Sequence, residues 1–389
     1  MKMSKDKLIP ELRFPEFINE GEWEEKTIGE FAPLQRGFDL PIDTIIKGKY
    51  PVVFSNGILK FHKEFKVKGP GIVTGRSGTI GKVTFVDVDF WPHNTSLWVT
   101  DFYGNYPLFV FYYFVFIGLE QFGTGSGVPT LNRNDVHRHK ILVPNPQEQQ
   151  KIAACLSSLD EVIAAHSQKL ELLKDHKKGL MQNLFPQEGE KVPKVRFKEF
   201  EKDGEWVEKV LSEVALYENG KAHEQDISEN GNFVVVNSKF ISTDGKVAKY
   251  SNSAYCLAEK GDILMVLSDI PNGRAIAKCF YIIEENKYTV NQRICKISSF
   301  DCDSLFLYYT MNRNPFFLAF DDGVKQTNLR NDDVQSFPFL IPIDRKEQQR
   351  IASCLSSLDA LITAQAEKIA QLKLHKKGLM QGLFPKIND

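Results

Sequence analysis

The run Gly75-Arg76-Ser77-Gly78-Thr79-Ile80-Gly81-Lys82-Val83 is where the sequence comes nearest to a catalytic motif. A phosphate-binding P-loop needs Gly, four residues, then Gly-Lys and a Ser or Thr, whose hydroxyl holds magnesium. Here the second glycine falls one residue late and Val83 stands where the hydroxyl belongs, so a P-loop is excluded. There is no dinucleotide fingerprint, serine-hydrolase elbow, zinc-protease helix or EF-hand loop. An Asn/Asp-Pro-Pro-aromatic tetrapeptide of the kind that methylates an extruded base is also missing. His166 and His176 have no acidic or Cys partner four residues on, and Cys155, Cys256, Cys279, Cys295, Cys302 and Cys354 form no C-x-x-C pair. The expectation is a chain with no catalytic residues, no metal site and no cofactor of its own, its cysteines reduced and mostly in the core.

The remaining chemistry suits a polyanion. Glu11 to Glu30 holds seven acidic and two basic residues, whereas Arg36 to Val86 holds nine basic and three acidic, so charge is segregated. Glycines in the basic stretch let backbone approach phosphate, and Asn, Gln, Arg, Ser and Thr are the side chains that read base edges. In the first half these are Arg36, Asn56, Arg76, Ser77, Gly78, Thr79, Lys82, Asn94, Ser126 and Arg133. Arg133 also opens a basic knot with His137, Arg138, His139 and Lys140. In the second half the candidates are Asn237, Lys239, Asn272, Arg274, Lys278, Gln292, Lys325, Gln326 and Arg330. They cluster as Asn94-Thr95-Ser96, Asn132-Arg133-Asn134, Asn237-Ser238-Lys239 and Asn291-Gln292-Arg293; the alternative is that the Asn and Gln residues are turns and caps.

The elements that must position these residues are visible as a duplication. Over 389 residues, with 42% apolar and 25% charged, the chain is an ordinary folded protein of two or three domains. Glu148 to Pro186 matches Glu347 to Pro385 at a constant offset, with 26 identities and no gap. Upstream, Arg13-Phe14, Phe17 and Gly21-Glu22-Trp23 recur as Arg196-Phe197, Phe200 and Gly204-Glu205-Trp206. The plan is body, helix, body, helix, in the α+β class: 1–146, 147–186, 187–346 and 347–389. The first helix carries a four-three seam of Ile152, Leu156, Leu159, Ile163, His166, Leu170 and Leu173, continued by Lys177, Leu180 and Leu184. The second carries Ile351, Leu355, Leu358, Ile362, Gln365, Ile369 and Leu372, then Lys376, Leu379 and Leu383. Each helix is the natural partner of its copy, so pseudo-two-fold symmetry predicts an antiparallel coiled coil. His166 then meets Gln365 in a polar layer, or lies at a wet edge. The aromatic runs at 109–116 and 306–309 read as a core helix in each body, and Tyr106 to Leu119 is too short to span a membrane. Met1 to Pro10 has no apolar segment of the signal-peptide kind, which leaves a cytoplasmic protein as the expectation. Against DNA stands a formal net charge of -1, the main support for a rival reading as a coiled-coil scaffold that joins protein partners.

Two variable bodies, each followed by E-Q-Q-[KR]-I-A-x-C-L-S-S-L-D and then H-K-K-G-L-M-Q-x-L-F-P, resemble the specificity (S) subunit of Type I restriction–modification systems. The resemblance covers essentially the whole chain. Gly78-Thr79-Ile80-Gly81-Lys82 is similar to a loop common in that family's target recognition domains, and Arg274-Ala275-Ile276-Ala277-Lys278 departs from it. The resemblance implies two mixed α/β target recognition domains, each reading half of an asymmetric bipartite site on double-stranded DNA. It implies that the coiled-coil helices space the halves and dock two methyltransferase (M) subunits, which methylate adenine N6 with S-adenosylmethionine. Restriction (R) subunits then supply ATP- and magnesium-dependent cleavage, and this chain is non-catalytic.

Overall fold

A computed structural model describes residues 9–125, 127–223, 225–271 and 273–385. Its contacts divide the chain into two compact units. The first takes residues up to Lys169 together with those from Gln365 on, and the second takes Leu170–Ala364. Each unit therefore holds one body, half of one long helix and half of the other.

The first unit is built on a four-stranded antiparallel sheet in the spatial order Leu34–Arg36, Ser96–Val99, Gly71–Gly75, Val83–Val86. A three-stranded sheet of Gly57–His62, Tyr50–Phe54 and Trp91–Pro92 lies in the same body. Glu24–Thr27 pairs with Lys140–Val143 and closes the body's two ends together. The second unit repeats this plan. Ala215–Asn219, Ile294–Ser299, Ile263–Val266 and Cys279–Tyr281 form its first sheet, and Val207–Val210 pairs with Pro338–Ile341 at its ends.

The aromatic runs form core helices, as their all-round hydrophobicity requires. Pro107–Ile117 starts on a proline, stops at Gly118 with φ of 70°, and buries Phe109, Val110, Tyr112, Tyr113 and Phe114. Ser304–Met311 is capped by Asp303 and buries Phe306, Leu307, Tyr309 and Met311. Among the described residues, no helix is long and apolar enough to cross a membrane.

The long helices are Pro146–Leu184 and Arg345–Leu383, 39 residues each, about 58 Å at 1.5 Å per residue. Every seam position named from the sequence is buried or half-buried, while the residues between them are mostly exposed. In the first unit Ile152, Ala153 and Leu156 share a core with Met380, Leu383 and Phe384, so the two helix halves run antiparallel. In the second, Leu184 packs with Ile351, Ala352 and Leu355 in the same sense. Gln365 Nε2 lies 2.7 Å from His166 Nδ1 and donates to the His166 carbonyl at 2.8 Å. The wet-edge alternative gives way to the polar layer, with Gln365 only 8% exposed.

Candidate nucleic-acid interface

Three loops of the first unit are stitched together by their backbones. The turn 93–96 closes with the Ser96 N–H donating to the His93 carbonyl at 2.9 Å. The Arg76 N–H donates to the Thr95 carbonyl at 3.0 Å, and the Arg76 carbonyl accepts the Leu131 N–H at 2.8 Å. Strand 71–75 thus holds the turn on one side and the loop 123–131 on the other. Gly75 to Lys82 is a hairpin connection between two strands rather than a strand-to-helix loop, which agrees with rejecting the P-loop. Gly78 and Gly81 take φ of 79° and 76°, and a Cβ at Gly75 would meet the Thr79 carbonyl oxygen at 1.8 Å, so the connection depends on glycine.

This stitching brings together most of the residues picked from the sequence. The Arg76 guanidinium reaches the Asn94 carbonyl at 3.5 Å, and the Asn94 amide donates to Asp39, which also pairs with Arg36 at 3.0 Å. Lys82 Nζ donates to the Asn56 carbonyl at 2.5 Å. Ser77 bridges to Thr130, and Gly78 and Thr79 are exposed at the tip. Arg133 is exposed at the start of helix Arg133–Arg138, two residues past Leu131. Ser126 lies outside the described residues.

The second unit repeats the arrangement with other side chains. Its turn 291–294 closes with Ile294 N–H on the Asn291 carbonyl at 3.2 Å. The Leu267 N–H donates to the Arg293 carbonyl at 2.9 Å, and the Leu267 carbonyl accepts Leu329 N–H at 2.8 Å. Lys278 takes the place of Lys82, because Val266 N–H meets the Lys278 carbonyl as Gly75 N–H meets that of Lys82. Ala277 keeps the left-handed turn of Gly81, at φ of 54°. The departing loop therefore retains the turn but is five residues longer, and Asp269 fills it by accepting the Ala275 and Ile276 N–H groups. Arg274 is exposed on that longer loop, and the backbone counterpart of Arg76 is Leu267. Gln292 stands where Asn94 stands, and Gln326 donates to Ser268 Oγ at 2.6 Å. Lys239, Lys325 and Arg330 are exposed; Asn272 lies outside the described residues.

Several sequence assignments change. Asn132 and Asn237 are helix caps, their side-chain oxygens accepting the Asn134 and Phe240 N–H groups at 3.0 and 2.9 Å, the cap alternative that their residue type allowed. Lys278 is paired with Asp244 at 2.7 Å and positions the loop instead of presenting a free cation. The basic knot disperses because it spans a short helix and a strand. His137 Nε2 accepts the Leu34 N–H at 2.7 Å, Arg138 pairs with Asp135, and Lys140 pairs with Glu25 at 2.7 Å. Burial, with the nearby Arg133 charge, holds His137 below its ordinary pKa.

The doubled architecture finds its match among known proteins. The family described as Type I restriction modification DNA specificity domain matches twice, over residues 20–175 and 203–374. The chain belongs to that family. It is similar to the Type I restriction enzyme MjaVIII specificity subunit of Methanocaldococcus jannaschii, 26% identical over 67% of this chain and 64% of the relative. It is also similar to the Type I restriction enzyme EcoprrI specificity subunit of Escherichia coli, 28% identical over 36% of this chain and 37% of the relative. The matches thus span less than two thirds of these relatives' own length. In fold it resembles the S subunit of a Type I restriction-modification system from M. genitalium, at a TM-score of 0.67 and 17% identity, covering 98% of this chain and 100% of that one. A chain from a structure addressing complex assembly of the type I R-M system gives 0.55 at 16% identity, covering 92% and 96%.

In this member of the specificity family, the repeated helix motifs prove to be clamps as well as seam. Glu148, 1% exposed, receives two hydrogen bonds from Arg13 at 2.8 Å, and Arg13 also donates to the Gly21 carbonyl. Glu347 and Arg196 repeat this at 2.7 Å. Gln149 accepts the Tyr106 N–H and donates to the Pro144 carbonyl, tying the helix start to the aromatic helix. Lys376 pairs with Asp160 at 2.6 Å and lies over the ring of Tyr112, whose hydroxyl donates to Asp160 at 2.8 Å. Burial and then Asp160 push the Tyr112 hydroxyl far above its ordinary pKa, so it stays a donor. Lys177, Asp359 and Tyr309 form the same triad in the second unit. The sequence did carry a signal for these residues. Glu148 and Asp160 are identical between the copies yet lie off the seam, and Gln149 is a repeated polar residue at the seam's start, which a coiled coil alone does not demand.

Proposed function

We propose that this chain is the DNA sequence-specificity subunit of a Type I restriction–modification complex. Each unit reads one half of an asymmetric bipartite site through its stitched loops. The observation that carries this reading is the repetition of the loop scaffold, hydrogen bond for hydrogen bond, with different side chains mounted on it. One scaffold with two sets of readers suits two unlike half-sites. The scaffold-only alternative explains the coiled coil but gives no reason to duplicate loops held by the same backbone bonds and lined by different polar side chains.

The long helices space the half-sites and dock two methyltransferase subunits, with restriction subunits joining the same complex in the cytoplasm. Val162 and Leu361, 43% and 55% exposed, are equivalent residues on the two helices and are candidate contacts for two like partners, while Leu172, 61% exposed, is a further candidate on the first helix alone. S-adenosylmethionine, ATP and magnesium belong to those partners. Transfer and cleavage chemistry is theirs, and this chain supplies the address. Sequencing of methylated adenines in cells that express the chain with its methyltransferase subunits tests the proposal. A single asymmetric bipartite motif is expected, and methylation without such a motif, or none, would refute it.

A further inference from the structure

Two neighbouring positions in each unit form a socket with the same backbone and exchanged side chains. In the first unit the pair is Arg76 and Thr95, joined by the Arg76 N–H to Thr95 carbonyl bond at 3.0 Å. In the second it is Leu267 and Arg293, joined in the same way at 2.9 Å. The match extends outward. His93 N–H is anchored on the Val53 carbonyl at 2.9 Å, and Asn291 N–H on that of Val236 at 3.0 Å. Gly37 passes beneath the first turn so closely that a Cβ would lie 2.2 Å from the His93 oxygen; Gly220 passes beneath the second, with the Asn291 oxygen at 2.1 Å. Thr95 therefore corresponds to Arg293, and Arg76 to Leu267. Each socket holds one arginine, on opposite members of the pair.

Arg293 is exposed, and its guanidinium has no hydrogen bond or ion pair among the described residues. It is held at φ of 69°, a left-handed conformation that glycine adopts without penalty and a long side chain does not. A strained backbone position whose side chain does nothing inside the protein points to use outside it. The adjoining Leu267 is apolar and 8% exposed, and the chain that follows it carries Ser268, which accepts from Gln326, and Asp269, whose carboxylate is taken up by backbone N–H groups of its own loop. An exposed planar fork of donors with no partner of its own among the described residues fits the O6 and N7 acceptors of guanine in the major groove.

We infer that the socket is where each unit presents a base-reading guanidinium, and that Arg293 specifies a guanine in the half-site read by the second unit. The inference rests on the DNA-reading function proposed above. The full chain with its methyltransferase subunits is offered a pool of randomised duplexes, and methylated products are sequenced for the wild type, Arg293→Gly and Arg293→Lys. Arg293→Gly removes the side chain and the strain together, so its thermal unfolding midpoint should equal or exceed the wild type's. The wild type should require guanine at one position of one half-site. Arg293→Gly should relax that position about tenfold or more, leaving the other half-site, the spacer and the salt dependence of binding unchanged, and Arg293→Lys should relax it less. An unchanged motif overturns the inference. So does a uniform loss of binding with a shallower salt slope, which marks a phosphate contact. A wild type that gives no bipartite motif fails at the earlier step and takes the proposed function with it.

Discussion

Glu148 shows how a long-helix residue can fasten the chain that enters its body. Its carboxylate is almost fully enclosed and holds Arg13, which in turn fastens the chain at Gly21. Removing one member of such a pair strands the other charge without solvent, at a cost of about 3–5 kcal/mol. Glu148→Ala should lose that much stability in urea unfolding, whereas alanine at Glu171, whose pair with Lys174 is exposed, should lose less than about 1 kcal/mol. Two histidines add a pH dependence. Burial is the main cause that lowers the pKa of both His93 and His137 below 6.5, and His137 accepts the Leu34 N–H only while neutral. The unfolded chain then binds protons that the folded chain refuses. The stabilisation is complete above about pH 6.5 and shrinks as pH falls below it. The thermal midpoint should be lower at about pH 5.5 than at about pH 7.5, and replacing both histidines with Gln should flatten the difference. At this scale the sequence was only half legible. Asn94 and Asn237 look alike as residues, yet Asn94 on its turn donates to the distant Asp39 while Asn237 caps the helix that follows it, accepting an N–H three residues on.

Among the elements, the long helices were the most legible, because a four-three apolar period has one structural solution and the partner was printed in the same chain. The Lys within each seam had no explanation from periodicity. It became clear only when Lys376 was seen between Asp160 and the Tyr112 ring, a contact made across three elements distant in sequence. The reading loops were the least legible, since their alignment between the two bodies runs through backbone bonds and the five-residue lengthening before Lys278 hides it in the sequence. Leu358, 8% exposed on the seam, gives the corresponding prediction. Leu358→Asp places a carboxylate among apolar side chains and should cost several kcal/mol, enough to abolish a normal gel-filtration profile. A stable variant with a normal profile would contradict the seam.

For the whole molecule, duplication gives two compact units, each with its own core and its own stitched loops. Net charge is a poor guide to such a design. The total of -1 sums unlike stretches, Glu11 to Glu30 with seven acidic and two basic residues and Arg36 to Val86 with nine basic and three acidic. The division makes a quantitative prediction. Asn94 and Gln292 occupy equivalent turns in different units, so substitutions at the two should act as independent changes. Independent sites add in free energy to within about 0.3–0.5 kcal/mol, a factor of roughly two. Asn94→Ala should weaken discrimination in one half-site only, and Gln292→Ala in the other only. The double variant should lose the product of the two single losses in competition methylation between cognate and altered duplexes. A double loss well beyond that product would mean that the units read the site as one coupled surface. A loss at the distant half-site in either single variant would mean the same, and the one-unit, one-half-site assignment would fall.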